Sequence, residues 1–157
     1  MKIILPGRPY QLFFEHRPGC LYVYVGSETN SLEIATQYWV EILSLLHRRR
    51  YSGVLLDKDI AQPLAAHDVC TIVSRLAHTG HSDVSFAICD RFYDEERCKF
   101  EELVGTNRGL NLKIVPTVRE AEIWLDSRRR GRNVVRAPIK WVEDDVPPSG
   151  GPMAWAA

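Results

Sequence analysis

The chain has 157 residues, 45% of them apolar and 25% charged, with twenty basic and twenty acidic side chains in balance. That length suits one domain with an appendage, and that composition can build a hydrophobic core without metals or disulfides. Zero net charge removes any general attraction to nucleic acid or acidic membranes, and no apolar run reaches the roughly 18 residues of a membrane-spanning helix.

Residues 1–9 hold Lys2 and a short Ile-Ile-Leu run before Pro6, too little apolar chain for the core of a secretory signal. A cytoplasmic location is expected. Cys20, Cys70, Cys89 and Cys98 show no C-x-x-C spacing and are expected to be reduced thiols in the core. Residues 10–14 and 21–25 are rich in β-formers and flank Pro18-Gly19, which signals a hairpin. Leu21, Val23 and Val25 alternate with Tyr22 and Tyr24, so the aliphatic side faces the core. The spacing predicts a helix over 31–48, capped by Asn30 or Ser31. Its apolar stripe is Leu32, Ala35, Trp39, Leu43 and Leu46, and the arginines at 48–50 suit the negative end of its dipole. The run 53–57 reads as a central strand buried on both faces. A second helix follows Pro63, turns Val69, Ile72, Val73, Leu76 and Ala77 inward and stops at Gly80. A strand over 84–89 ends at Asp90, and a third helix over 92–104 ends at Gly105 or Gly109. A strand over 112–115 and a helix over 118–125, with Val118, Ala121 and Leu125 inward, complete the series.

A hairpin followed by helix–strand alternation implies the α/β class: a mostly parallel sheet with right-handed crossovers and helices packed on it. The domain is expected to span 1–126. From 127 to 157 the composition changes to a basic cluster at 128–132, an acidic one at 143–145 and a Pro/Gly-rich run at 147–152. The basic cluster could bind phosphate, nucleic acid or a membrane surface, but its ordinary role is a solvated helix end. The tail is too polar to build its own core, yet Val134, Val135, Ile139 and Trp141 stand close together. They suit an extended segment, 133–142, docked on a sheet edge or helix groove, either of its own domain or of a second copy in a homodimer.

Three stretches carry a family resemblance: Ser31-Leu-Glu-Ile-Ala35 opening a helix, Val54-Leu-Leu-Asp57 as the central strand, and Val115-Pro-Thr-Val-Arg-Glu-Ala121 before the last helix. In their order and spacing, over 21–125, the chain resembles the SpoIIAA-like group of STAS domains, and within it a bacterial subgroup. These are small α/β modules of anti-sigma-factor antagonists and of the cytoplasmic parts of transporters. The resemblance implies a non-catalytic regulatory or binding module that engages a protein partner or a small ligand. The family's antagonists carry a phosphorylatable serine or threonine just after the central strand. Residues 57–67 contain no hydroxyl side chain here, so that switch does not carry over.

Asp57 and Asp59 are the sharpest candidates for chemistry. Both are expected where a parallel strand ends, the edge at which open α/β sheets bind ligands. Asp90 ends a second strand on the same edge, and three carboxylates together could hold Mg²⁺. Leu55-Leu-Asp-Lys-Asp59 also resembles the Asp-x-Asp signature of haloacid-dehalogenase-type phosphatases, which would make Asp57 the nucleophile and Asp59 the acid/base. The run departs from that signature at Ala61. A Mg²⁺-dependent phosphate-ester hydrolase is therefore the alternative to a binding module, and an apolar-ligand or lipid pocket is a third reading. A strand-end aspartate is also a common helix cap or salt-bridge partner. With Lys58, His67 and Arg91, the three aspartates form the candidate ligand- or partner-binding set. His67 and Cys70 can share a helix face, but two ligands do not make a zinc site. No phosphate-binding glycine loop and no Gly-x-Ser-x-Gly elbow occurs, so neither a cofactor nor a complete catalytic set is expected.

Overall fold

The structure is a computed structural model and describes residues 2–3 and 7–135. Strands β2 (Gln11–Arg17) and β3 (Cys20–Ser27) form the expected hairpin about Pro18-Gly19, and a short strand β1 (Lys2–Ile3), which the sequence did not announce, pairs with β2. Then α1 (Leu32–Arg48), β4 (Gly53–Ile60), α2 (Ala66–Ala77), β5 (Ser85–Asp90), α3 (Glu95–Asn107), β6 (Asn111–Val115) and α4 (Val118–Val135) succeed one another. The strands lie in the sheet in chain order, β1 to β6; the β1–β2 and β2–β3 pairs are antiparallel and the other three are parallel.

This order decides where the helices go. Right-handed crossovers that keep stepping in one direction lay every connecting helix on the same face of the sheet. Helices α1, α2 and α3 accordingly share one core with Leu21, Val23, Val25, Val54, Leu56 and Phe86. The alternate residues Leu55, Ala87 and Val115 point the other way and meet Ala121 and Leu125 of α4, as period-two alternation requires.

Local chemistry explains the helix ends. The Ser31 hydroxyl accepts from the Ile34 amide and starts α1, and the Asp94 carboxylate does the same for α3 at the Arg97 amide, each satisfying a donor with no partner inside the helix. Asn30 is not the cap; its side chain is buried instead. The inward stripe of α1 is Ile34, Ala35, Tyr38, Trp39, Ile42 and Leu46, with Leu32 and Leu43 only partly buried. Gly105 does not end α3 but lies inside it, where a Cβ would come within 2.7 Å of Leu112. The last helix does not stop at Leu125. It runs to Val135, across the expected boundary at 126, because arginine is a good helix former and basic side chains suit a helix C-terminus. Val134 and Val135 therefore continue a helix rather than an extended segment. Ile139, Trp141 and the rest of the tail lie outside the described residues.

Among the described residues no helix is long and apolar enough to cross a membrane, and all four cysteines are free thiols. Trp39 is buried, with its ring edge-on to Phe86 at 6.0 Å. Trp39→Ala should cost about 3–5 kcal/mol in denaturant melts, whereas Val40→Ala, at a position 56% exposed on the same helix, should stay within about 0.5 kcal/mol. A loss under about 1 kcal/mol for Trp39→Ala would mean that α1 presents a different face.

Candidate functional site

Strand β4 does not end at Asp57. It continues to Ile60, so Asp57, Lys58 and Asp59 are strand residues rather than loop residues. Alternation then sends Asp57 and Asp59 to the α4 face and Lys58 to the face of α1–α3. Polar residues persist inside this central strand because its neighbours supply partners. Tyr24 of β3 stands beside Asp57 in register. Each tyrosine leans to the carboxylate one step along: Tyr22 Oη donates to Asp57 Oδ2 at 2.6 Å and Tyr24 Oη to Asp59 Oδ2 at 2.8 Å. Gly26 leaves the room this needs, since a Cβ there would lie 2.6 Å from the Tyr24 hydroxyl.

Arg91 closes the group. It comes directly after β5, and its guanidinium reaches back across the sheet end to Asp57. Nε donates to Oδ1 and Nη2 to Oδ2, both at 3.0 Å, while Nη1 meets Asp59 Oδ2 at 3.4 Å. This fork-to-carboxylate geometry is the strong form of the Arg–Asp pair. Asp57 is only 2% exposed, whereas the Arg91 side chain is 47% exposed. Burial opposes ionisation of Asp57, but the hydrogen bonds from Arg91 and Tyr22 outweigh it and hold the carboxyl below the usual aspartate range. The same bonds push Arg91 up. Burial and the neighbouring carboxylates push both tyrosines up. Burial and the Asp57 charge raise the adjacent Cys89 thiol to about 11, so it is a poor nucleophile at neutral pH.

Asp90 does not join this group. Cys89 is the residue in register with Asp57, so Asp90 points to the opposite face. There its Oδ2 meets Arg97 Nη2 at 3.1 Å and Lys58 Nζ at 3.6 Å, while Oδ1 accepts the Phe92 amide at 2.9 Å. That last bond is an Asx turn. It fixes the bend after β5 from which Arg91 starts its reach. Glu101 lies near Lys58 and Arg97, and burial pushes its carboxyl up. His67 is exposed on the first turn of α2, away from Asp57. The expected convergence of Asp57, Asp59 and Asp90 therefore does not occur. Among the described residues no group of three His, Cys, Asp or Glu side chains is arranged to hold a metal ion.

Tyr22, Tyr24 and Arg97 complete these clusters and were not singled out by sequence. The signal was present for the tyrosines, since period-two alternation puts both on one face, but only the strand register shows that this face is also that of Asp57 and Asp59. At the carboxyl edge an open groove of about 590 Å³ adjoins the group, lined by Tyr24, Asp59 and Phe92 and by Arg8, Gly26 and Glu28. Comparison with family models gives no match, and comparison with curated proteins gives none either.

The buried carboxylate makes a pH-dependent contribution with a defined sign. Its folded pKa is depressed, so the stability it adds is complete above the unfolded value of about 4 and is lost as pH falls through the folded pKa. Arg91→Ala should destabilise the fold by about 1–3 kcal/mol at neutral pH, less than a fully buried pair because Arg91 is half exposed and partly screened. It should also shrink or reverse this acid-side loss, since burial then dominates at Asp57. Urea melts from about pH 3 to 7 measure both effects. An unchanged pH profile in Arg91→Ala would show that the pair does not set the Asp57 ionisation.

Proposed function

We propose that the chain is a non-catalytic binding or regulatory module of the SpoIIAA-like STAS type, engaging a partner across the carboxyl edge of its sheet, around Asp59, Arg91 and Phe92. One observation carries this reading: both oxygens of Asp57 are occupied, by the Arg91 fork and the Tyr22 hydroxyl. A carboxylate held in this way positions Arg91 and is not free to attack a phosphate ester. The accessible part is the rim. Asp59 is 33% exposed and Phe92 46% exposed, with half of Arg91 between them. Arginine and aromatic side chains are enriched where protein surfaces meet. The hairpin and the strand–helix alternation after it further support the family reading.

The other two readings find less support. A hydrolase using Asp57 and Asp59 would need Arg91 to leave both carboxylates. A lipid pocket would need space, and the internal space described between α1, α2 and α3 is about 50 Å³, against roughly 300–1,000 Å³ for an ordinary ligand pocket. The connection from β4 to α2, residues 61–65, contains no serine or threonine, in keeping with a module that lacks the family's phosphorylation switch.

The immobilised 157-residue chain should retain a partner from cell extract, and Phe92→Ser or Asp59→Lys should release it. Leu103→Ser, at an exposed position of α3, should not. Equal retention by all variants would place the contact elsewhere. The enzyme alternative is tested with a generic phosphate ester and Mg²⁺. No turnover is expected, and turnover that vanishes in Asp57→Asn would overturn the binding-module reading. Incubation with a serine kinase that acts on STAS domains should leave 57–67 unmodified, as checked by mass spectrometry.

A further inference from the structure

The sheet ends at β6, which pairs with β5 on one side and, among the described residues, with no strand on the other. An edge of this kind offers unpaired amides and carbonyls to any chain that can lie alongside. Asn111-Leu-Lys-Ile-Val115 contains three aliphatic residues and no proline, so its side chains do not discourage such pairing. The Ile114 amide points away from β5. It donates instead to Glu102 Oε1 of α3, at 3.2 Å. Backbone groups alternate between the two sides of a strand, so the Leu112 amide faces outward as well.

Close packing of α3 on β6 puts Glu102 within reach. Gly105, on the same helix, lies so near Leu112 that a Cβ there would be 2.7 Å from it. Any larger residue would push the helix, and Glu102 with it, off the strand. Lys113 Nζ stands 3.4 Å from the same Glu102 oxygen, with its side chain 45% exposed against 18% for Glu102. One carboxylate oxygen thus accepts a backbone amide and faces an ammonium at the rim of the sheet. Ile114 itself is only 2% exposed.

We propose that Glu102 guards this edge: it occupies the Ile114 amide and so keeps a second copy of the chain from adding its own β6. Two copies meeting edge to edge about a twofold axis would run antiparallel. The register that joins the outward groups of Leu112 to those of Ile114 in the second copy places Lys113 opposite Lys113. Like charges directly opposite across a strand pair are destabilising, so Lys113 is a second barrier to the same contact.

Residue-resolved hydrogen exchange of the 157-residue chain gives the first test. The Ile114 amide should exchange slowly and the outward Leu112 amide fast. Glu102→Ala, which keeps a good helix former in α3, should speed Ile114 exchange many-fold in dilute solution. As concentration rises, both amides should slow, and sedimentation velocity should show self-association several-fold tighter than in the unaltered chain. Glu102→Gln retains an accepting oxygen and should behave as the unaltered chain does. Lys113→Thr, at an exposed position, should tighten association to a smaller degree without affecting folding. Equal exchange of Leu112 and Ile114 in the unaltered chain would overturn the proposal. So would unchanged association in both Glu102→Ala and Lys113→Thr, or Glu102→Gln associating as tightly as Glu102→Ala. Tighter association that leaves the Leu112 amide fast would also overturn it, because the contact would then lie away from β6.

Discussion

Every crossover in this sheet steps the same way, and the handedness of L-peptides does the rest. A strand, a helix and a parallel neighbour close with a right-handed turn, so three successive turns in one direction load α1, α2 and α3 onto a single face. The opposite face then has only the chain beyond β6 to cover it. Helix α4 reaches β4, β5 and β6 but cannot also shield the hairpin. A sheet built this way is one-sided by construction, with a deep core on one side and a surface open to polar chemistry on the other.

The buried aspartate is a product of that imbalance. An ionised carboxylate at the centre of a sheet would be costly in an apolar layer. On the thinly covered face it can be met by the Tyr22 hydroxyl from the neighbouring strand and by an arginine whose outer half stays in water. The Arg91 fork links β4 to the chain leaving β5, while Asp90, one residue earlier and on the opposite face, holds the bend in shape through the Phe92 amide. The last residue of β5 and the first beyond it thus divide the work: Asp90 shapes the turn and Arg91 uses it. The pair is a positioning device that presents the half-exposed guanidinium at the sheet edge.

Much of the fold was legible in the sequence because it rests on local rules. The Pro18-Gly19 turn, the Ser31 cap, the stripe around Trp39 and the alternation of Leu21, Val23 and Val25 each depend on neighbours within a few residues. The features that escaped depend on distant partners. Asp57-Lys58-Asp59 looks like the start of a loop until Tyr22, Tyr24 and Arg91 are seen to satisfy it from other elements. The separation of Asp90 from Asp57 is a matter of parity. A shift of one residue in the β4–β5 register would have put them together, and register cannot be read from one strand. The length of α4 was hidden because 128–132 is polar throughout and shows no apolar periodicity.

Strand order in the sheet also bears on how the molecule assembles. Leu21 pairs with Val54, Val54 with Phe86 and Phe86 with Leu112, so each new strand joins the edge left by its predecessor across one intervening helix. Contacts of moderate sequence separation favour rapid folding, and a chain emerging from the ribosome can add its strands in the order of their synthesis. The long-range closures come last, when Glu122 meets Arg17 and Arg129 meets Gly19 across more than a hundred residues. Until α4 is made, Leu55 and Ala87 remain bare on the growing sheet. The stretch after β6 therefore acts as the latch of the folding reaction as well as the roof of one face.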